Sequence, residues 1–262
     1  MKKSIAFLVV VDLMFLLVAS VPALISGWYS RVVYYALYAG LIALALLFVR
    51  REETSLRLTA MPRRPFHAIA LFAPAMLLVV GISFFISTVL ALLNKSNATD
   101  VSGHLLIELL RHALLPALFE EMLFRYVPLR LLGGRSPRAA IVVSSVMFAL
   151  VHLSLFQIPY ALFAGVILAY ITLLTGSVLP AVLLHFANNT VSVICMRAPE
   201  FALYVIIVLA VLSALSAVYI VAHRWDYVKT LKEAFGGERV GFSPEITIAA
   251  VVCLCAALLE LR

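Results

Sequence analysis

Long apolar runs separated by short polar connectors dominate this chain. A helix needs about 20 apolar residues to cross a hydrocarbon core about 30 Å thick, and nine runs approach or exceed that length. The runs are continuous, whereas a membrane barrel shows alternating segments of about ten residues. The pattern therefore predicts an all-α polytopic bundle of eight or nine membrane spans. The predicted spans are 4–26, 32–49, 67–93, 104–131, 139–154, 158–175, 178–196, 201–222 and 245–261.

The composition leads to the same class. Hydrophobic residues make up 65% of the chain, charged residues make up 13%, and the mean hydropathy is +1.11. A water-soluble domain needs more polar residues than this to cover its surface. The polar connectors at 50–66 and 223–243 are too short to fold separately. We therefore expect residues 1–262 to form a single membrane domain embedded in the lipid bilayer.

The net charge of +7 reflects topology rather than nucleic-acid binding. The basic residues lie in short connectors and form no patch interleaved with aromatic residues, as a nucleic-acid surface would require. When Lys2 and Lys3 are placed in the cytoplasm, most Lys and Arg fall on that side, which agrees with the positive-inside rule. We therefore predict an integral membrane protein with a cytoplasmic N-terminus.

Ionisable residues inside the predicted spans are concentrated in the fourth. A charged side chain in the bilayer costs several kcal/mol unless it is paired, so each one indicates a structural partner or a functional role. We interpret Asp12 of the first span as a structural hydrogen-bond partner. We interpret Glu108, Arg111 and His112 as an interfacial amphipathic turn that leads into the fourth span.

Helical spacing separates the two adjacent carboxylates of the fourth span. Glu121 and Arg125 are four residues apart, so they lie on one face and are predicted to form an ion pair. Glu120 is rotated by about 100° from Glu121 and lacks such a partner, which makes it the candidate general base beside a histidine. Pro116, four residues before Glu120, removes a backbone hydrogen bond and is expected to kink the helix and open room for water.

Two further polar groups follow on later spans. The same spacing rule places Phe148 over His152, and His185 beside Asn189, with Asn188 as an alternative neighbour. Imidazole and amide donors that face a carboxylate supply what the hydrolysis of an amide needs, since one group activates water and others stabilise the oxyanion. The alternative for His185 and Asn189 is a structural role as interhelical hydrogen-bond partners.

Three motifs occur in order on these spans: Glu120–Arg125 fits EExxxR, Phe148–His152 fits FxxxH, and His185–Asn189 fits HxxxN. The stretch 52–57 also fits EExxxR, but it lies in a polar connector and is interpreted as a solvated charge run. Together the three motifs resemble those of the CPBP family, the CAAX proteases and bacteriocin-processing enzymes, also called the Abi family. The resemblance covers about 104–196.

The resemblance implies an intramembrane endopeptidase of the glutamate type, acting on a membrane-associated peptide or protein in a prokaryotic cell membrane. It implies that Glu120 and His152 activate the water, and that His185 and Asn189 form the oxyanion hole. Glu121, Arg125 and Phe148 would support the site. The substrates it allows are a prenylated C-terminus, a bacteriocin or pheromone precursor, and a C-terminal membrane anchor.

The cofactor and the functional class have alternatives. The glutamate mechanism needs no cofactor and is the favoured interpretation, whereas a zinc ion held by Glu120, His152 and His185 would also produce hydroxide near neutral pH. Two other classes use the same residues differently. A proton-coupled transporter would use them as a proton relay, and a non-catalytic scaffold or immunity protein would need only their packing.

Overall fold

The computed structural model describes residues 2–24, 29–52, 56–92, 103–154 and 157–235, and every regular element in these ranges is a helix. The helices are α1 (Lys2–Ala19), α2 (Val21–Leu24), α3 (Tyr29–Arg51), α4 (Pro65–Leu92), α5 (105–132), α6 (Pro137–Leu150), α7 (Gln157–Thr175), α8 (Leu179–Arg197), α9 (Phe201–Ala222) and α10 (Arg224–Phe235).

Five helices are long and apolar enough to cross a membrane, namely α3, α4, α7, α8 and α9. This confirms the predicted all-α membrane class. The predicted count of eight or nine spans is not confirmed, because α1 and α5 are interrupted by charged side chains and α6 has only 14 residues. The predicted span at 245–261 lies outside the described residues.

The fifth predicted span, 139–154, extends too far at its C-terminal end. Helix α6 begins after Ser136, whose side chain accepts a hydrogen bond from the N–H of Ala139 at 3.2 Å and so caps the helix. The helix ends at Leu150, and Leu153 then turns the chain with a φ of 52°. At 1.5 Å per residue, α6 is about 21 Å long. His152 therefore lies in the turn after a short helix rather than within a full span.

Helix α5 lies at the centre of the bundle and contacts α3, α6 and α8. Helices α6 and α7 pack against each other around Gly165, where a Cβ atom would lie 3.0 Å from both Cα and Cβ of Ser145. A larger residue at this position would require Ser145 to shift, and close approach through small residues is a common way for membrane helices to pack.

Two clusters of buried apolar residues stabilise the bundle. The first joins α1, α3, α5 and α6 with parts of α7 and α10, and the second joins α4, α7, α8 and α9. Helix α5 belongs to the first cluster and helix α8 to the second, so the space between these two helices is bounded by both clusters. The polar motif residues lie at this boundary.

The turn between α7 and α8 is held by the connector that precedes α4. Gly176 adopts a φ of 65°, a conformation that favours glycine, and ends α7. Its carbonyl accepts a hydrogen bond from the N–H of Thr59 at 2.8 Å, and the carbonyl of Thr175 accepts one from the N–H of Arg63 at 2.8 Å. These bonds fix the start of α8, the helix that carries His185.

Asp12 does not have the role that its position suggested. Its side chain is 1% exposed on α1, and neither carboxylate oxygen has a hydrogen-bond partner within the described ranges. The interpretation of Asp12 as a structural hydrogen-bond partner is therefore wrong for the part of the chain that the structure describes.

Candidate active site

Helix α5 is irregular on both sides of its adjacent glutamates. Two π turns, Leu110–Leu114 and Met122–Tyr126, flank the α-helical segment Leu115–Glu121. The expected disturbance near Pro116 takes the form of the first π turn. Such turns occur frequently at functional sites because they shift the faces on which side chains project.

The second irregularity joins α5 to α6. Pro128 has no N–H, so the carbonyl of Phe124 lacks the donor that an α-helix would supply four residues later. The hydroxyl of Ser144, on α6, donates to this carbonyl instead, and so does Nη1 of Arg125 at 3.1 Å. The proline thus leaves an acceptor that orients the Arg125 guanidinium.

Glu121 is fully buried between the guanidinium of Arg125 and the imidazole of His185. Its Oε2 lies 3.4 Å from Nε of Arg125, which is also fully buried, so the predicted ion pair is present. Its Oε1 accepts a hydrogen bond from Nδ1 of His185 on α8, at 2.9 Å. Spacing within α5 alone did not predict this second contact, because it joins two helices.

Glu120 faces a cavity rather than the interior of the helix bundle. Its side chain is 19% exposed, and its Oε2 lies 3.9 Å from Nε2 of His185. The two ring nitrogens of His185 therefore face the two adjacent carboxylates, Glu121 through Nδ1 and Glu120 through Nε2. The resemblance pairs Glu120 with His152, whereas the imidazole nitrogen that lies 3.9 Å from Glu120 in the structure is Nε2 of His185.

His152 lies beside the same cavity but is oriented by the backbone. Its Nδ1 donates to the carbonyl of Phe148 at 2.7 Å, one helical turn earlier. This leaves Nε2 without a proton in the neutral ring, so Nε2 accepts rather than donates. The Phe148 and His152 rings are 5.0 Å apart, which agrees with the predicted placement of one over the other.

Phe148 packs among the charged and polar residues of the motifs. The guanidinium carbon of Arg125 lies 4.2 Å from the centre of its ring, a cation–π distance. The ring of His185 is 5.6 Å away and perpendicular. Phe148 thus contacts a residue from each of the three motifs and shields Arg125 from the cavity.

The cavity has a volume of about 340 Å³ and is bounded by α4, α5, α6, α7 and α8. Glu120, His152, His185 and Asn189 all line it, so the structure brings the four predicted site residues together. Asn188 also lines it, and its Nδ2 donates to Oδ1 of Asn189 at 3.3 Å. Glu121 and Arg125 lie behind the cavity wall.

Sequence reasoning missed the other residues that line the cavity. Tyr160 and Gln157 contribute polar groups from the start of α7, and the Tyr160 ring is 6.2 Å from the ring of His152. Met76 and Val79 contribute an apolar wall from α4. For Tyr160, the available signal was a polar residue at the start of an otherwise apolar span. For Met76 and Val79 there was no such signal, because α4 carries no motif.

The first copy of the EExxxR pattern lies elsewhere. Glu52 forms an exposed ion pair with Lys3 at 2.7 Å, outside the cavity. Residues 53–55 of this copy lie outside the described ranges. The earlier interpretation of the pattern at 52–57 as a solvated charge run agrees with the position of Glu52.

Among the described residues, no group of three His, Cys, Asp or Glu side chains is arranged to hold a metal ion. His185 has one ring nitrogen bonded to Glu121, and the second faces Glu120. The zinc set of Glu120, His152 and His185 stays an alternative, because a histidine bonded to a carboxylate through Nδ1 keeps Nε2 free to bind a metal.

One segment of the chain matches a known protein family. Residues 102–191 match the family model described as type II CAAX prenyl endopeptidase Rce1-like, and this segment carries all three motifs. Searches of curated proteins and of solved structures give no match. The Rce1-like proteins are part of the CPBP family. The segment that brings the three motifs to one cavity, residues 102–191, is therefore similar to the Rce1-like proteins of the CPBP family of membrane proteases.

Proposed function

We propose that this protein is an intramembrane endopeptidase that hydrolyses a peptide bond in a membrane-associated protein or peptide. The main support is a series of three contacts: Arg125 with Glu121, Glu121 with His185, and His185 with Glu120. The series ends at a cavity inside an apolar helix bundle. A buried carboxylate that orients an imidazole beside a second, accessible carboxylate is suited to proton transfer.

In the proposed reaction, Glu120 removes a proton from a water molecule, and Nε2 of His152 accepts the second hydrogen bond of that water. The resulting hydroxide attacks the carbonyl carbon of the scissile bond, and the carbonyl oxygen takes the electron pair. The bond between carbon and nitrogen then breaks as Glu120 returns its proton to the leaving nitrogen. Each step uses groups of this chain, and no metal is needed.

The oxyanion would be stabilised from α8. Asn189 accepts a hydrogen bond from Asn188, which leaves its Nδ2 free to donate. His185 donates through Nε2 only when both ring nitrogens carry protons, because its Nδ1 proton is bound by Glu121. The carboxylates of Glu120 and Glu121 balance the charge of that form. Preorganised donors of this kind are a large contribution to catalysis of acyl transfer.

The cavity favours a substrate with a large apolar group close to the scissile bond. Met76 and Val79 of α4 and Leu168 of α7 form an apolar wall opposite the polar motif residues. A prenyl chain on a C-terminal cysteine is such a group, and the Rce1-like match supports this substrate class over a bacteriocin precursor or a C-terminal membrane anchor.

The test is cleavage of fluorogenic prenylated peptides by the detergent-purified protein. We expect Glu120→Gln to lower kcat/KM by at least about 100-fold, since general-base catalysis contributes about 10²–10⁴-fold. Glu52→Gln, in the exposed copy of the same pattern, is the matched control and should retain activity. We also expect activity to survive a metal chelator.

The outcomes separate the alternatives. Loss of activity on chelation, with recovery on addition of zinc, would replace the metal-free mechanism by a zinc mechanism. If wild type and Glu120→Gln do not differ with any peptide, the protease proposal fails. Proton-coupled flux in liposomes that depends on Glu120 would then support a transporter, and partner binding without flux or cleavage would support a scaffold.

A further inference from the structure

A second cavity lies against Glu120 from the side of α3. Its volume is about 410 Å³, which is within the range of ligand pockets. His112, Pro116 and Glu120, spaced by four residues on α5, border both this cavity and the first one. The candidate general base is therefore reached from two cavities that lie beside one stripe of α5.

The two cavities differ in chemistry. The first has apolar walls from α4 and α7, as described above. Apart from the three shared residues, the second is lined by two arginines, three tyrosines, a proline and a leucine. These residues are Arg31, Arg111, Tyr34, Tyr35, Tyr38, Pro22 and Leu115. Arginine and tyrosine side chains supply N–H and O–H donors. These donors suit an anionic group that lies at the Arg31 and Tyr38 side of the cavity, away from the carboxylate of Glu120 that borders it.

Two of these side chains, the exposed Arg31 and the buried Tyr38, have donors that pair with no other described residue. Tyr38 is 1% exposed, yet its hydroxyl makes no hydrogen bond in the part of the chain that the structure describes. Arg31 makes no ion pair with another described residue, whereas Arg111 is paired with Glu108 at 3.2 Å. A buried hydroxyl without a partner is unfavourable, which indicates that an acceptor normally reaches it.

We propose that the second cavity binds the C-terminal carboxylate of the fragment that the reaction releases. This inference rests on the proposed peptidase function. With the scissile bond at Glu120 and the apolar part of the substrate in the first cavity, the short C-terminal fragment extends into the second. Its carboxylate then accepts hydrogen bonds from Arg31 and from the hydroxyl of Tyr38, as carboxylates do most effectively from arginine.

The experiment compares two fluorogenic prenylated peptides that differ only at their C-terminus, a free carboxylate or a carboxamide. For the wild type, we expect the ratio of kcat/KM for the carboxylate to that for the carboxamide to be about tenfold or more, as expected for a charge-assisted hydrogen bond. Arg31→Gln and Tyr38→Phe should both bring this ratio toward one. Arg51→Gln, at the opposite end of α3, should leave it unchanged.

A wild-type ratio near one would overturn the proposal, and so would an unchanged ratio in both Arg31→Gln and Tyr38→Phe. A binding measurement separates this failure from failure of the peptidase function. A dansylated apolar tripeptide, as carboxylate or as carboxamide, is titrated into the detergent-purified full chain and followed by fluorescence polarisation. If the wild type binds the carboxylate more tightly than the carboxamide, and Arg31→Gln abolishes this difference, the cavity assignment is supported even if no peptide is cut. Equal binding of both forms contradicts it.

Discussion

The imidazole of His185 donates a hydrogen bond through Nδ1 to Glu121 at 2.9 Å, across the interface between α8 and α5. Glu121 is fully buried and is held in turn by Arg125. The contact fixes which nitrogen of His185 faces Glu120, so we expect Glu121 to affect the candidate site through the orientation of His185. The two adjacent acids therefore have different environments, since Glu120 is partly exposed to the cavity and Glu121 is buried.

We expect Glu121→Gln to lower kcat by about 10–100-fold with little change in KM, because His185 loses the charged partner that orients its ring. Steady-state kinetics on the peptide substrate will show the effect. A rise in KM with an unchanged kcat would contradict the positioning role.

The stability of the same variant separates positioning from folding. Removing one member of a buried ion pair leaves Arg125 without its partner, which destabilises proteins by about 3–5 kcal/mol. The double variant Glu121→Leu with Arg125→Met should recover most of this loss in thermal unfolding. It should not recover kcat, since it does not restore the hydrogen bond to His185. Recovery of kcat by the double variant would show that the pair serves folding alone.

The bond from Ser144 to the Phe124 carbonyl predicts a coupling between two helices. Ser144→Ala leaves this buried carbonyl with one donor fewer and should lower stability by about 1–3 kcal/mol. Pro128→Ala restores an N–H to α5 that competes for the same carbonyl. In thermal unfolding, the double variant should therefore lose less than the sum of the single variants. Simple additivity would show that the two residues act independently.

The close approach of α6 and α7 predicts an asymmetry between two glycines. Gly165→Leu places a side chain where Ser145 already lies and should destabilise the protein by at least about 1–3 kcal/mol. At Gly40, on α3, a Cβ atom meets nothing within 4 Å. Gly40→Ala should therefore be neutral or stabilising by up to about 1 kcal/mol. Equal effects of the two substitutions on the melting temperature would contradict the packing described here.

Asp12 predicts a stabilising substitution. Its buried carboxylate lacks a hydrogen-bond partner among the described residues, and a polar group buried in this way costs about 1–3 kcal/mol. Asp12→Leu should raise the melting temperature while peptide cleavage is retained. A loss of cleavage without a loss of stability would instead assign Asp12 a functional role.

Relationships within one helix were predictable from the sequence, and relationships between helices were not. The pairing of Glu121 with Arg125 and the placement of Phe148 over His152 follow from a spacing of four residues. The contact between Glu121 and His185 depends on which faces of α5 and α8 meet, and helical spacing carries no information about that. This is why the pairing of Glu120 with His152 came from the family resemblance, and why the closeness of His185 to Glu120 was not predicted.

The end of α6 shows a second limit. Apolar residues continue through Val151 and Leu153, so hydropathy extends the predicted span beyond the observed end at Leu150. The turn is made by Leu153 with a positive φ, and neither glycine nor proline marks it. The three motifs were predicted to share one site, and the short α6 places His152 beside it.

Each π turn of α5 accommodates one residue more than the same length of α-helix would. In evolutionary terms, such a turn is equivalent to a single-residue insertion that the fold absorbed without lengthening the helix. One residue corresponds to about 100° of rotation about the helix axis. A deletion at Tyr126 would therefore rotate every later residue of α5 by about that angle relative to Glu120 and Glu121. The angular position of the acids therefore depends on chain length, to within one residue, as much as on side-chain identity.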